Sequence, residues 1–174
     1  MEVTHWLQYL MPWEFFWLWL LSCFGMAALY HLGLSELKRR GASLPAWWRS
    51  MAFYFGLATI YGVSHTYYDY LSQFLFFAHR AQHIVLHHLG PLLIAFSAPI
   101  PVLAAGLPTR FKALSIWPRL QMVVAPLYAL VQQPIIASIL FVGIIYFWLS
   151  PSLHYYAMLS HTLYQIMIWS MLLE

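Results

Sequence analysis

Histidine is the residue type with the most chemical potential in this sequence. Nine histidines stand in a chain of 174 residues that has only five Asp and Glu and one cysteine. The densest stretch is FAHRAQHIVLHHLGPLL, where His79, His83 and His87 recur every fourth residue and His88 follows directly. On an α-helix each such step climbs about 6 Å and turns about 40° past a full circle. His79 and His83 can therefore share one metal ion, as i and i+4 histidines do in helical zinc sites. His87 lies about 12 Å from His79 along the axis, too far for one ion to take all three. His65 and Asp69 are four residues apart on one helical face, and His154 and His161 are seven apart on another. Imidazole suits copper, zinc, iron and nickel alike. Met11 and Met158 add a hint of soft ligation toward Cu(I). The single cysteine, Cys23, excludes an intrachain disulfide and a thiolate metal motif, and reads as a small buried apolar residue.

The elements that must position these residues are membrane helices. The chain is 63% hydrophobic, 19% aromatic and 7% charged, with a mean hydropathy of +0.70. Soluble domains carry about a quarter charged residues, so this one has too few polar side chains to cover a water-facing surface. Crossing about 30 Å of hydrocarbon takes roughly 20 apolar residues. The sequence predicts an all-α, polytopic membrane bundle of about five transmembrane helices in a single domain, at about 11–34, 50–70, 74–98, 131–149 and 152–173. Residues 109–130 lie within a Pro-rich stretch and are expected as an interfacial or re-entrant piece. The first apolar run is too long for a signal-peptide core and lacks a basic start, so it is read as a retained helix. His5, Trp6 and Tyr9 before it fit an interfacial turn, and Trp13, Trp17 and Trp19 an aromatic belt.

Seven of the eight Lys and Arg fall in or beside two loops, with Lys38, Arg39, Arg40 and Arg49 in the first and Arg110, Lys112 and Arg119 in the third. Alternating helices put both loops on one side, and basic short loops mark the cytoplasm. The N-terminus and the turns near Asp69 and Pro151 then face outward, toward the periplasm of a bacterial inner membrane. Counting from that outer surface at 1.5 Å per residue, His65 lies roughly 7 Å deep, His79 about 10 Å, His83 about 16 Å and His161 roughly 14 Å. His65, His79, His83 and His161 are thus candidate metal ligands in the outer half of the bundle, with His154 and Asp69 near its mouth. The remaining cation, Arg80, is costly in a span unless it snorkels or pairs, and Asp69 is one candidate partner.

His79-Arg-Ala-Gln82-His83, followed by Gly90-Pro91-Leu-Leu and Ala98-Pro99, resembles the CtaG family of cytochrome c oxidase assembly factors, the multi-helix membrane type associated with caa-type oxidases. Gln133-Pro134, the turn from Trp148 to Pro151, and the stretch from His154 through His161 to Trp169 are similar to the family's downstream pattern. The resemblance covers roughly 61–169. This chain looks like a shortened member, and Arg80 stands where an apolar residue is usual. The resemblance implies a role in building the copper centre of a haem–copper oxidase, with copper handled at the outer face through His79, His83 and their neighbours.

The expected function is accordingly that of a non-enzymatic, copper-handling assembly factor. The alternative is an accessory subunit of a respiratory membrane complex whose histidines bind haem or are structural. Expected partners are the lipid bilayer and a haem–copper oxidase subunit or another respiratory complex, with a homodimer as a further option. The basic charge is accounted for by orientation and needs no nucleic acid. A carboxylate-bridged di-iron site lacks the carboxylates it requires, since only Asp69 lies near the histidines. No internal repeat points to an alternating-access transporter. No catalytic triad, phosphate loop or redox cysteine pair is present.

Overall fold

The computed structural model describes residues 11–12, 15–108 and 116–173, without the side chains of 116–121, 123, 124 and 173. The N-terminal aromatic turn, Trp13 and the loop cations Arg110 and Lys112 lie outside the described residues, as does the side chain of Arg119. The described residues form helices and no strands. They group into two compact units, Met1–Gly106 and Leu107–Glu174.

The first unit contains α1 (Trp17–Arg39), α2 (Trp47–His65), α3 (Tyr67–Phe74), α4 (Phe76–Ile84), a π-turn (Val85–Leu89), α5 (Gly90–Phe96) and α6 (Ile100–Gly106). Here the stretch predicted as one helix over 74–98 is subdivided. Pro91 has no N–H for the carbonyl of His87, and its ring would clash there. The chain answers with a wider turn just before it, in which the Gly90 N–H reaches the Val85 carbonyl. A second break comes at Ala98, in the left-handed region at φ 48°. Pro99 disfavours helical geometry at the preceding residue. The helix axis bends by 73° there, which turns α6 off the line of α5.

That bend lets α6 pack on α1 while α5 packs on α2. Glycine makes both crossings close. A Cβ on Gly33 would collide with the Val102 carbonyl, and one on Gly106 with the Leu29 carbonyl. A Cβ on Gly56 would lie 3.1 Å from the Gly90 carbonyl oxygen. Small residues serve this purpose where lipid gives helices no hydrophobic reason to associate. The core between them holds Tyr30, Phe53, Leu57 and Val102, with the Tyr30 and Phe53 rings stacked at 4.0 Å.

The second unit contains α7 (Ile116–Val131), α8 (Pro134–Leu149), α9 (Pro151–Leu159) and α10 (His161–Leu173). Pro126 lies inside α7, and the chain bends by 76° between α7 and α8. Ser160, in an extended conformation, separates α9 from α10, so the stretch expected as one helix over 152–173 is two. The Trp148 indole donates to Ser170 Oγ at 2.9 Å and ties α8 to α10.

Among the described residues, one helix, α1, is long and apolar enough to cross a membrane, and there are up to three such spans if each bent pair counts as one. With 13 residues, α10 reaches only about 20 Å, too short for the single span expected over 152–173. The polarity of the first unit still fits hydrocarbon. Trp17, Phe24, Phe74, Phe76 and Phe77 are exposed, whereas His65, Asp69, His79 and Gln82 are buried.

Candidate metal centre

The buried polar residues of the first unit meet where α2, α3 and α4 join. Thr66 ends α2 and caps α3: its hydroxyl donates to the Gly62 carbonyl at 2.6 Å and accepts from the Tyr68 N–H at 3.2 Å. Asp69 falls in the first turn of α3, where the helix dipole favours a negative charge. A single extended residue, Leu75, then reverses the chain into α4. The Tyr68 hydroxyl holds the corner closed by donating to the Ala78 carbonyl at 3.1 Å.

Gln82 is the hub of this corner. It is 1% exposed, and its amide nitrogen donates twice, to the Val63 carbonyl at 2.7 Å and to Asp69 Oδ1 at 3.0 Å. Val63 lies in the last turn of α2, where carbonyls have no intrahelical donor. One side chain of α4 thus serves the open end of α2 and the carboxylate of α3. Gln73 donates to the other carboxylate oxygen, Oδ2, at 3.4 Å, and Ser72 Oγ donates to the Asp69 carbonyl at 2.7 Å.

Gln82 directly precedes His83, and the structure brings His83 to His79 as the spacing predicts. Their Nε2 atoms are 2.9 Å apart and their ring centres 4.4 Å apart. In this state one Nε2–H donates to the other's lone pair. With both lone pairs turned inward, the two nitrogens can hold one ion. At an ordinary imidazole–metal distance of about 2.0–2.1 Å they would subtend about 90°. His79 is buried and His83 half-buried.

The other predicted site residues have distinct settings. Asp69 is linked to α4, which carries the histidine pair, through Gln82. His65 ends α2 in an aromatic niche, with its ring centre 5.6 Å from Phe15 and 5.1 Å from Tyr61. Both of its ring nitrogens are buried without a hydrogen-bond partner. In the second unit, His154 lies on α9 and His161 begins α10, on opposite sides of the Ser160 break. Among the described residues, no group of three or more His, Cys, Asp and Glu side chains is arranged to hold a metal ion. Arg80 is exposed, and its guanidinium lies over the Phe76 ring at 5.0 Å.

Sequence reasoning missed Gln82 as the organiser, together with the Tyr68 latch and the π-turn. The sequence did hold signals for two of them: a glutamine next to His83 within a predicted span, and Gly90-Pro91 one residue beyond the His87-His88 pair.

Fold and site together define a helical protein with an apolar exterior and a buried corner that aims two imidazoles at one point. The chain belongs to the cytochrome c oxidase caa3 assembly factor (Caa3_CtaG) family, whose model matches residues 28–174. The match extends beyond both ends of the stretch that carries the sequence resemblance. No curated protein and no solved structure matches the chain.

Proposed function

We propose that the protein handles Cu(I) as cargo for the copper centre of a haem–copper oxidase, receiving and releasing it through His79 and His83. Family membership supplies the oxidase-assembly context. The observation that carries the copper reading is the 2.9 Å approach of the two Nε2 atoms on a helix clamped by Gln82. Two neutral imidazoles suit a transfer site, because they bind a soft cation without the closed cage of a structural thiolate site. His65 is the further donor we favour. A buried ring nitrogen without a hydrogen bond costs about 1–3 kcal/mol, which ligation would relieve. Asp69 acts through Gln82.

In this reading the chain is a five-span protein of the bacterial inner membrane with a periplasmic N-terminus. The grouping of basic residues in alternate loops supports that orientation. Its client is an oxidase subunit. The test is metal analysis with an absorption spectrum on detergent-purified protein, wild type beside His79→Ala/His83→Ala. About one copper per chain, lost in the double variant and without a Soret band, is the expected result. Haem, or no metal in either protein, overturns it and leaves an accessory subunit of a respiratory complex.

A further inference from the structure

We propose that Arg80 is the docking contact for the client and receives a carboxylate of an oxidase subunit in the outer half of the membrane. This rests on the copper-handling reading and names the surface across which the copper is delivered. Around α4, at about 100° per residue, burial falls in a graded order. Gln82 and His79 face the corner and are buried. His83 comes about 40° further round and is half-buried. Phe76 lies about 20° beyond His83 and Arg80 about 40° beyond Phe76, and Ile84 and Phe77 complete an exposed quadrant. The exposed face therefore begins beside the metal pair. A client that takes an ion from His83 must share it briefly, with its own donor atom within about 4 Å of the imidazole nitrogen. The quadrant is the side from which His83 can be reached, since the corner closes the other.

Arg80 is the one charge on that quadrant. Its guanidinium lies over the Phe76 ring at 5.0 Å, leaning toward the N-terminal, outer end of α4 as helical side chains do. It makes no ion pair among the described residues. The described carboxylates are committed elsewhere. Asp69 is buried and accepts from Gln82 and Gln73, and Glu36 pairs with Arg39 and Arg40 near the end of α1. A second copy of the chain thus brings Arg80 no partner from these residues.

An arginine within a span is costly unless it is paired. Its planar fork matches a carboxylate through two parallel hydrogen bonds. Phe76 and Ile84 flank it with apolar surface that excludes water when a partner helix lies on them, which strengthens the pair. Such a pair fixes both the level and the rotation of the partner, and so sets its copper-binding atoms against His83. A lipid phosphate would also satisfy Arg80, but it brings no copper acceptor to the pair.

The test places the full-length protein in phosphatidylcholine vesicles with copper-depleted oxidase purified from the same membranes. Cu(I) per chain should be unchanged in Arg80→Gln, Arg80→Lys and Arg80→Glu. Association, read from fluorescence transfer between labelled partners, should weaken about tenfold in Arg80→Gln and about a hundredfold in Arg80→Glu, with Arg80→Lys within about threefold of wild type. A photo-reactive side chain at position 84 should cross-link to an oxidase peptide that carries Asp or Glu. Wild-type association in Arg80→Gln overturns the docking. Equal weakening by all three variants also overturns it, since shape rather than charge then explains the loss. Cross-linking at position 84 that reaches only lipid overturns it and gives Arg80 a phosphate partner, and cross-linking only to a second copy overturns it in favour of a homodimer. If the wild-type chain binds no Cu(I), the copper reading fails by itself: association that still depends on the Arg80 charge keeps the docking, and association that does not ends both.

Discussion

The Gly33–Gly106 crossing and the Gln82 corner both join helices within the first unit, but by different forces. At the crossing, α1 and α6 touch backbone to backbone, and no side chain at either glycine can be accommodated. At the corner, α2, α3 and α4 are held by directional hydrogen bonds from one amide. Close packing fixes how near two helices lie. The amide fixes where α4, with its two histidines, stands against α2 and α3. The first is a demand of the fold, and the second is a demand of the site. The two should therefore separate by mutation.

The largest effect belongs to the crossing. Gly33→Leu must push α6 away from α1, and overpacking of this kind costs about 3 kcal/mol. Thermal unfolding in detergent should show a clear fall in midpoint, with copper binding lost only as the fold is lost. Gly25→Ala on the same helix is the control, because nothing lies within 4 Å of a Cβ there. Replacing that glycine should be neutral or stabilising, by up to about 1 kcal/mol. If Gly33→Leu unfolds at the wild-type temperature, close packing of α1 against α6 is not what holds the unit.

The corner should show the opposite pattern, with a smaller cost to the fold and a specific cost to the site. Gln82→Leu leaves the Val63 carbonyl and the Asp69 carboxylate without their shared donor. Residues that orient metal ligands typically contribute about 10–100-fold in affinity, so Cu(I) affinity should fall within that range. Asp69→Leu should fall similarly. Asp69→Asn should keep most of the affinity, because an amide oxygen still accepts from Gln82. The double variant Gln82→Leu/Asp69→Leu should be little worse than either single one, as expected for two members of one network. Additive losses in Cu(I) titrations would mean that the two residues act separately.

How much of this was legible in the sequence follows from the range over which each feature is set. The helical class and the meeting of His79 with His83 are local: composition decides the first, and a four-residue spacing decides the second. The helix breaks were half legible. Pro91 and Pro99 announce disturbance, but whether a proline yields a π-turn or a sharp bend depends on what the next helix packs against. The two outcomes here differ because Ala98 takes a left-handed conformation and sends α6 onto α1. Depth along the helices sets His65 near His79 by level alone. Level does not fix rotation, and the ring of His65 lies between Phe15 and Tyr61. Gln82 was visible in the family-like HxxQH element, but its partners Val63 and Asp69 lie 19 and 13 residues away, and only the folded corner reveals them.

His65 sharpens the comparison because it is buried like Gln82 but has none of its hydrogen bonds. It contributes shape to an aromatic niche while leaving two ring nitrogens unsatisfied. In metal-free protein, His65→Phe should therefore be neutral or stabilising, by about 1 kcal/mol, since it removes buried polar atoms and keeps a planar ring. In copper-loaded protein the same change should lower the unfolding temperature relative to wild type, because a ligand that binds only the folded state stabilises it in proportion to its affinity. Unfolding midpoints measured with and without Cu(I) separate the two cases. A variant stabilised equally in both states would assign His65 to packing and leave the metal to His79 and His83. A variant destabilised without copper would instead mean that Phe15 and Tyr61 require the imidazole itself, and that the niche belongs with the corner as part of the fold.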